Sequence, residues 1–145
     1  MEYRLRKAAK EDWSFIWSLR VTTMKDQIND TYGWEENTQK SYAQESLHGE
    51  IVLIDEMPVG VTTLADWGDQ LHLVWIAILP ARQGLGLGKA LVKYCQQQAS
   101  ARNKPLSLQV LRNNPALWLY EKQGFEIYDQ NGPYKLLMRW QPNFT

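Results

Sequence analysis

Three glycines stand close together within residues 83–89, between an apolar run and a helical pattern of apolar residues. The first backbone N–H groups of a helix have no partner within the helix, and the helix dipole gives that end a partial positive charge. Glycine permits positive φ and close backbone approach, which a cradle of amides around phosphate oxygens requires. We therefore interpret the segment as a phosphate-binding turn, and not only as a tight strand-to-helix connection. Its members are Gln83, Gly84, Leu85, Gly86, Leu87, Gly88 and Lys89.

The spacing of this turn disfavours the two common nucleotide motifs. A P-loop needs Ser or Thr directly after Gly-Lys, but Ala90 follows Lys89. A dinucleotide fingerprint needs Gly-x-Gly-x-x-Gly and an acidic residue about 20 positions later. Here the third glycine comes one residue early, and residues 107–110 contain no acid. The phosphate ligand of this turn is therefore expected to be neither a nucleoside triphosphate in a P-loop nor a dinucleotide.

Two segments of the chain resemble motifs of the GNAT acetyltransferase superfamily. Residues 79–91 resemble its coenzyme A motif, whose kernel Gln/Arg-x-x-Gly-x-Gly/Ala is matched by Gln83, Gly86 and Gly88. Residues 113–125 resemble its segment Asn-x-x-Ala-x-x-x-Tyr-x-x-x-Gly-Phe, and both the order and the spacing of the two segments agree. The resemblance implies a single N-acetyltransferase domain over residues 1–145, with acetyl-CoA as cosubstrate and no metal.

The resemblance also implies roles for individual residues. Main-chain amides of Ile76 and Ile78 would pair with pantetheine and polarise the acetyl carbonyl. Asn113 and Asn114 both fall where the coenzyme-contacting asparagine of the family lies, depending on the register. Tyr120 would protonate the departing thiolate, because a phenol with a pKa near 10 is protonated at neutral pH. A tyrosine packed in the core is the alternative for Tyr120.

Acetyl transfer also needs a neutral amine, although less than about one part in a thousand of an ordinary amine is neutral at pH 7. A base or an ordered water path is therefore expected. Some superfamily members carry a glutamate six residues before the position of Ile78, and His72 stands there. A histidine with an unperturbed pKa near 6.5 could accept the proton, although His72 could equally be a strand-end residue outside the site. The alternatives without positional support are Glu35, Glu36, Asp66 and Asp69.

Three aromatic residues, Tyr32, Trp34 and Trp75, could line an acceptor pocket, with packing as the equal alternative for each. The acceptor is expected to be a small-molecule or protein amine, and the sequence leaves open whether the chain forms a homodimer. The lone Cys95 lies on an apolar helical face and is expected in the core.

The composition excludes several classes of partner. The formal net charge is zero and no run of Lys or Arg is present, so neither nucleic acid nor an anionic membrane is expected as a partner. No apolar stretch approaches the roughly 20 residues that a membrane-spanning helix needs, and residues 1–10 do not form a signal peptide. We expect a cytoplasmic protein.

The elements that position these residues follow from periodicity and turn signals. The predicted order is β-α-α-β-β-β-α-β-α-β-β, with a polar break over residues 26–34 between the first two helices. Residues 71–79 form the most apolar strand, and residues 87–101 the helix after the glycine turn. Asn114 and Gly124 bracket a short helix as its N-cap and its left-handed C-terminal residue. We expect the α/β GNAT fold: a mixed, mostly antiparallel sheet of six or seven strands, split near its centre, with about four flanking helices.

Three classes of function are compatible with the sequence. An N-acetyltransferase releases thiol from acetyl-CoA only with an amine acceptor. A non-catalytic acyl-CoA-binding or sensing domain keeps the glycine turn and lacks acceptor chemistry. An interaction module, in which the seven tryptophans form a partner surface, binds no coenzyme. Tyr120 favours the catalytic interpretation.

Overall fold

The computed structural model describes residues 2–142, so residues 1 and 143–145 of the predicted domain lie outside the described residues. Within this range the chain forms seven strands and four α-helices in the predicted order. The strands are β1 (Arg4–Lys7), β2 (Glu50–Ile54), β3 (Met57–Asp66), β4 (Leu71–Ile78), β5 (Leu106–Leu111), β6 (Glu126–Asn131) and β7 (Lys135–Trp140). The helices are α1 (Trp13–Thr31), α2 (Glu36–Gln44), α3 (Leu87–Ala101) and α4 (Ala116–Lys122).

The strands form one mixed sheet in the order β1-β2-β3-β4-β5-β7-β6, so β4 is central as predicted. The pairs β1/β2, β2/β3, β5/β7 and β6/β7 are antiparallel, whereas β4 and β5 are parallel because α3 connects them. The predicted mixed, mostly antiparallel sheet with about four helices is therefore confirmed.

The parallel pairing of β4 with β5 is short. Its register covers Leu71 to Leu73 on β4 and Leu106 to Leu108 on β5, although β4 continues to Ile78. The second half of β4 consequently lies beyond the ladder with β5. This is the local geometry that the expected split near the centre of the sheet requires.

The chain divides into two compact units. One contains the chain up to Thr63 together with Trp75–Gly88, and the other contains Leu64–Val74 together with the chain from Lys89 onward. The first has a core that includes Ile16, Leu19, Ile51, Val52 and Val61, and the second has a core that includes Leu91, Val92, Leu106, Leu108 and Met138. Cys95 is fully buried in the second unit, as expected. The elements β3, β4 and α3 run through both units, and the single domain stays a prediction.

The predicted break over residues 26–34 is wrong over its first six residues, because α1 continues to Thr31. Ile28 is only 6% exposed, and its burial extends the apolar face of the helix past the polar residues around it. The chain turns at Gly33, where φ is +83°. Asn29 acts from within the helix, since its Oδ1 accepts a hydrogen bond from the N–H of Trp34 at 3.1 Å. The Asn29 side chain therefore stabilises the turn that follows α1, and the residue itself does not break the helix.

The short helix α4 has the two boundary residues that the sequence predicts. The Oδ1 of Asn114 accepts a hydrogen bond from the N–H of Ala116 at 2.9 Å and caps the helix. Gly124 has φ +95° after its last turn, and a Cβ there would approach the ring of Trp140 to 3.3 Å. Both ends of the element that carries Tyr120 are thereby fixed.

Candidate active site

The glycine turn leaves β4 through the 3-10 turn Pro80–Arg82 and enters α3 at Leu87. Residues 83–86 are exposed, and Gly84 and Gly86 have φ of +78° and +90°. A Cβ at either position would meet no atom within 4 Å, so the backbone conformation and not crowding requires glycine there. Gly88 lies in the first turn of α3 without positive φ, so of the three glycines it does not use the left-handed conformation that glycine permits. The turn presents open backbone at a helix N-terminus, where phosphate oxygens can bind.

Gln83 connects this turn to the end of β4. Its Nε2 donates a hydrogen bond of 2.9 Å to the carbonyl of Ile78. One N–H of the Gln83 side chain is therefore used within the protein, whereas its Oε1 and its second amide hydrogen take no part in this bond. Leu87, at the start of α3, is 2% exposed and anchors the other end of the turn in the core. Lys89 is exposed on the first turn of α3.

The amides of Ile76 and Ile78 point to one edge of β4. Leu79 donates its N–H to the carbonyl of Val59 on β3 at 2.8 Å. Neighbouring residues in a strand direct their N–H and C=O groups to opposite edges, so those of Ile78 face away from β3. The same alternation gives Ile76 this direction. Both residues lie beyond the part of β4 that pairs with β5, so their N–H groups take no part in that ladder.

In the second unit, Tyr120 lies on α4 and is partly buried. Its ring meets Phe125 edge-on, with centroids 5.8 Å apart. Burial, and secondarily the charge of an ionised Cys95, raises the pKa of Tyr120 to about 12. This pKa is higher than that of an ordinary tyrosine, so the phenol stays protonated at neutral pH. The proton that a general acid must donate is therefore present.

His72 is buried on β4, with 8% of its surface exposed. Its Nδ1 lies 2.9 Å from the Oγ of Ser107, and its ring stacks on Trp67 with centroids 3.9 Å apart. Burial lowers the pKa of His72 to about 4, in place of the unperturbed value that the sequence argument assumed. The imidazole is therefore neutral at neutral pH, but it holds an added proton weakly.

The other candidate bases are committed elsewhere or exposed. The N–H of Gly68 and the ammonium of Lys104 bind Asp66 and hold the pKa of its carboxyl below the usual value. Hydrogen bonds from the hydroxyl and amide of Thr38 lower the pKa of Glu35, whose side chain caps α2. A lowered pKa makes both carboxylates weak bases. The remaining two candidates, Glu36 and Asp69, are exposed.

The two asparagines of the second motif differ in their environment. The side chain of Asn114 is occupied as the cap of α4, as described above. Asn113 is exposed beside it. A ligand contact by Asn113 is compatible with this arrangement, whereas one by the Asn114 side chain would compete with the cap.

Of the three aromatic residues considered for an acceptor pocket, only Trp75 is buried, with 7% of its surface exposed. Tyr32 is 53% exposed, and Trp34 packs on Trp17 with centroids 5.9 Å apart. The Trp75 ring lies 5.3 Å from the guanidinium carbon of Arg20, a buried residue that the sequence analysis missed. The sequence could have indicated the burial of Arg20, because this residue lies four positions after Ile16 and so on the apolar face of α1.

The described residues form neither a metal site nor a membrane-spanning helix. In the described part of the chain, no three or more His, Cys, Asp or Glu side chains are grouped so that they could hold a metal ion. None of the helices within residues 2–142 is both long and apolar enough to cross a membrane.

The family model described as an acetyltransferase (GNAT) domain matches residues 47–127 of the chain. The matched range contains the central strands, the glycine turn, α3 and α4 with Tyr120. Among curated protein sequences, none matches significantly.

Several solved structures have a similar fold. The PaiA N-acetyltransferase of Thermoplasma acidophilum, in complex with coenzyme A, has a TM-score of 0.79 at 17% identity, covering 98% of this chain and 100% of that one. The ribosomal-protein-S18-alanine N-acetyltransferase of Escherichia coli has a TM-score of 0.76 at 19% identity, covering 99% and 96%. Arabidopsis thaliana Naa50, in complex with the bisubstrate analogue CoA-Ac-MVNAL, has a TM-score of 0.73 at 15% identity, covering 97% and 99%. At such identities the likeness establishes a shared fold.

Proposed function

Because the chain belongs to the GNAT acetyltransferase family, we propose that it is an N-acetyltransferase that moves the acetyl group of acetyl-CoA to a primary amine by direct attack in a ternary complex. The family and the fold expected from the two sequence motifs are confirmed. The observation that carries the proposal is the glycine turn, with its left-handed Gly84 and Gly86 before the N-terminus of α3. Two of the similar structures are complexes with coenzyme A or a coenzyme A conjugate, which supports the same cosubstrate here.

The proposed chemistry uses main chain for the donor. The turn binds the pyrophosphate of acetyl-CoA, and the amides of Ile76 and Ile78 bind pantetheine and the acetyl carbonyl. Attack by the amine converts that carbonyl to an oxyanion, which backbone N–H donors stabilise without reorganisation. As the tetrahedral intermediate collapses, the C–S bond breaks and Tyr120 supplies the proton of the coenzyme A thiol.

The proton of the amine needs a separate acceptor. We propose His72, in its neutral form, as the group that first receives it. Because the pKa of His72 is about 4, the proton passes on to water and does not stay on the ring. The low proton affinity is also the observation that favours the second candidate, a non-catalytic acyl-CoA-binding domain. Acetyl-CoA binding without amine-dependent thiol release would establish that candidate in place of the enzyme.

The glycine turn is tested by Gly86→Ala. The change places a Cβ at φ +90° in open space, so it strains the backbone and narrows the cradle without a steric clash within the protein. We expect acetyl-CoA to bind at least about 10-fold more weakly by calorimetry, because one good hydrogen bond to a charged group is worth that much.

Gly132→Ala is the matched control, since Gly132 also has positive φ and no atom within 4 Å of its Cβ position. It carries the same backbone penalty in the β6–β7 turn and should leave acetyl-CoA affinity unchanged. Equal affinity for acetyl-CoA in both variants would contradict the assignment of the turn.

The role of His72 is tested by the dependence of kcat/KM on pH between 5 and 9. A base with a pKa of about 4 stays in one form throughout this range, so log kcat/KM should follow only the ionisation of the acceptor amine. His72→Ala should lower the whole profile by about 100-fold and keep its slope. His48→Ala, at the other histidine, which is exposed, is the control and should keep the wild-type profile. An undiminished rate in His72→Ala would remove His72 from the mechanism.

A further inference from the structure

Arg20 is a buried cation without an anionic partner among residues 2–142. It is 9% exposed, and its Nε and Nη2 donate hydrogen bonds of 3.1 and 2.9 Å to the Oε1 of Gln39. An amide oxygen carries no formal charge, so these hydrogen bonds leave the guanidinium without a neutralising anion. The ion pairs in the described part of the chain do not include it.

Keeping such a charge in the interior is costly unless an anion neutralises it. Burial lowers the pKa of Arg20 to about 10, against smaller opposing effects of the charges of Tyr42 and Glu45. Glu45 is exposed and forms no ion pair with Arg20, so solvent screens its effect. Since a guanidinium is charged at neutral pH even at this pKa, the site presents a full positive charge.

The surroundings of Arg20 add a second unused donor. Its guanidinium carbon lies 5.8 Å from the ring of Tyr42 and 5.3 Å from the ring of Trp75. The indole N–H of Trp75 is buried and has no hydrogen-bond partner among the described residues. A buried N–H without an acceptor is rare in native proteins. An arginine has five N–H donors, and the two bonds to Gln39 leave three.

The unused N–H groups of Arg20 and the indole N–H of Trp75 lie beside a charge that no anion neutralises, and an anionic acceptor with more than one oxygen suits both. A carboxylate has this property, because its two oxygens can accept from a guanidinium and an indole N–H together. We propose that Arg20 and Trp75 bind a carboxylate of the acceptor, and that Gln39 and Tyr42 position the guanidinium.

This inference rests on the proposed function and names the acceptor class: an amine that also carries a carboxylate. Trp75 is the residue directly before Ile76, whose amide is proposed to hold the thioester. Consecutive Cα atoms are about 3.8 Å apart. The residue proposed to bind the carboxylate is therefore the direct neighbour, on the same strand, of the residue proposed to bind the acetyl group.

The first experiment compares acceptors that differ only in their charge. Glycine, β-alanine and γ-aminobutyrate are each measured against the corresponding amide, with kcat/KM expressed per neutral amine. For the acceptor whose chain length suits the site, we expect kcat/KM of the acid to exceed that of its amide by about 10- to 100-fold. Arg20→Met should reduce that ratio to near one. Arg4→Met removes an exposed arginine that already has Glu56 as partner, and it should keep the wild-type ratio.

The second experiment needs neither acetyl-CoA nor turnover. The indole N–H signal of Trp75 is identified in ¹⁵N spectra by its loss in Trp75→Phe. Propionate should shift this signal in the wild-type protein, whereas propionamide should not, and Arg20→Met should abolish the shift. A shift without acetyl transfer to any amine would overturn the proposed function alone. Acetyl transfer with equal rates for acids and amides, and an unmoved Trp75 signal, would overturn this inference alone.

Gln39→Glu provides a variant in which the fold should gain stability. The new carboxylate replaces the amide that already touches Arg20, so it neutralises the buried charge from within. We expect a higher Tm at pH 7 and loss of the preference for acids over amides. A lower Tm with an unchanged preference would show that Arg20 is not the carboxylate receptor.

Discussion

Replacing Tyr120 with Phe is expected to lower kcat by about 100- to 10,000-fold at saturating acetyl-CoA and amine, the range typical of a lost general acid. The change removes only the hydroxyl, so the edge contact between the ring and Phe125 is retained. The measurement is thiol release in the steady state, together with calorimetric binding of acetyl-CoA. Binding should change little, because the proton is needed as the C–S bond breaks and not in the ground state.

Tyr128→Phe is the matched control, since Tyr128 is 44% exposed on β6 and has no proposed role in the reaction. It should retain wild-type kcat. Undiminished turnover in Tyr120→Phe would instead make Tyr120 a packing residue of α4.

The raised pKa of Tyr120 constrains when its proton is transferred. A thiol has an ordinary pKa of about 8.5, and burial raises the pKa of the Tyr120 phenol to about 12. Transfer to a fully formed thiolate would therefore be uphill by roughly 5 kcal/mol, since each pKa unit is worth about 1.4 kcal/mol. Proton transfer that accompanies C–S cleavage avoids a free thiolate, and water then returns a proton to the Tyr120 phenolate. Accordingly, kcat should show no alkaline loss from Tyr120 below about pH 11.

The sequence predicts the donor side of the site well because its signals are local. Positive φ at Gly84 and Gly86 and the cap of α4 by Asn114 depend on residues a few positions apart. Gly88 is the local exception: α3 has already begun there, so its backbone is helical. The order of strands and helices follows from periodicity for the same reason. Local chemistry accounts for the turn and the helix boundaries.

Properties that depend on burial between distant segments could not be predicted in this way. Ile28 extends α1 past polar residues because its side chain packs in the core. Arg20 is notable only because Gln39 and Trp75, far along the chain, enclose it. From the sequence alone, His72 is expected to have the ordinary pKa of a histidine. The fold lowers this pKa by burying the ring, which contacts Trp67 and Ser107. The pKa of His72 and the buried charge of Arg20 both depend on which side chains the fold buries. A single sequence does not show this burial.

The buried His72 should make the protein markedly less stable in acid. Its pKa is about 4 in the folded state and about 6.5 when unfolded. Between these values the unfolded chain binds more protons at this site, so the free energy of unfolding rises with pH across this window. The contribution is fully present above about pH 6.5 and is lost as the pH falls toward 4. A difference of 2.5 pKa units corresponds to about 3 kcal/mol, a large fraction of the stability of a small domain.

Urea unfolding at pH 7, 6, 5 and 4 measures how the free energy of unfolding falls in acid. The variant His72→Gln shows how much of this fall is due to His72. Glutamine can bond the hydroxyl of Ser107 but does not titrate, so the variant should lose about 3 kcal/mol less than the wild-type protein between pH 7 and 4. His48→Gln removes the exposed histidine and should keep the wild-type dependence. Carboxylates whose pKa is lowered by pairing, such as Asp12 with Arg6, are unchanged in all three proteins and cancel in the comparison. If His72→Gln lost as much stability as the wild-type protein, the imidazole would have to be protonated without cost in the fold, and the neutral acceptor that we propose for the amine proton would not exist.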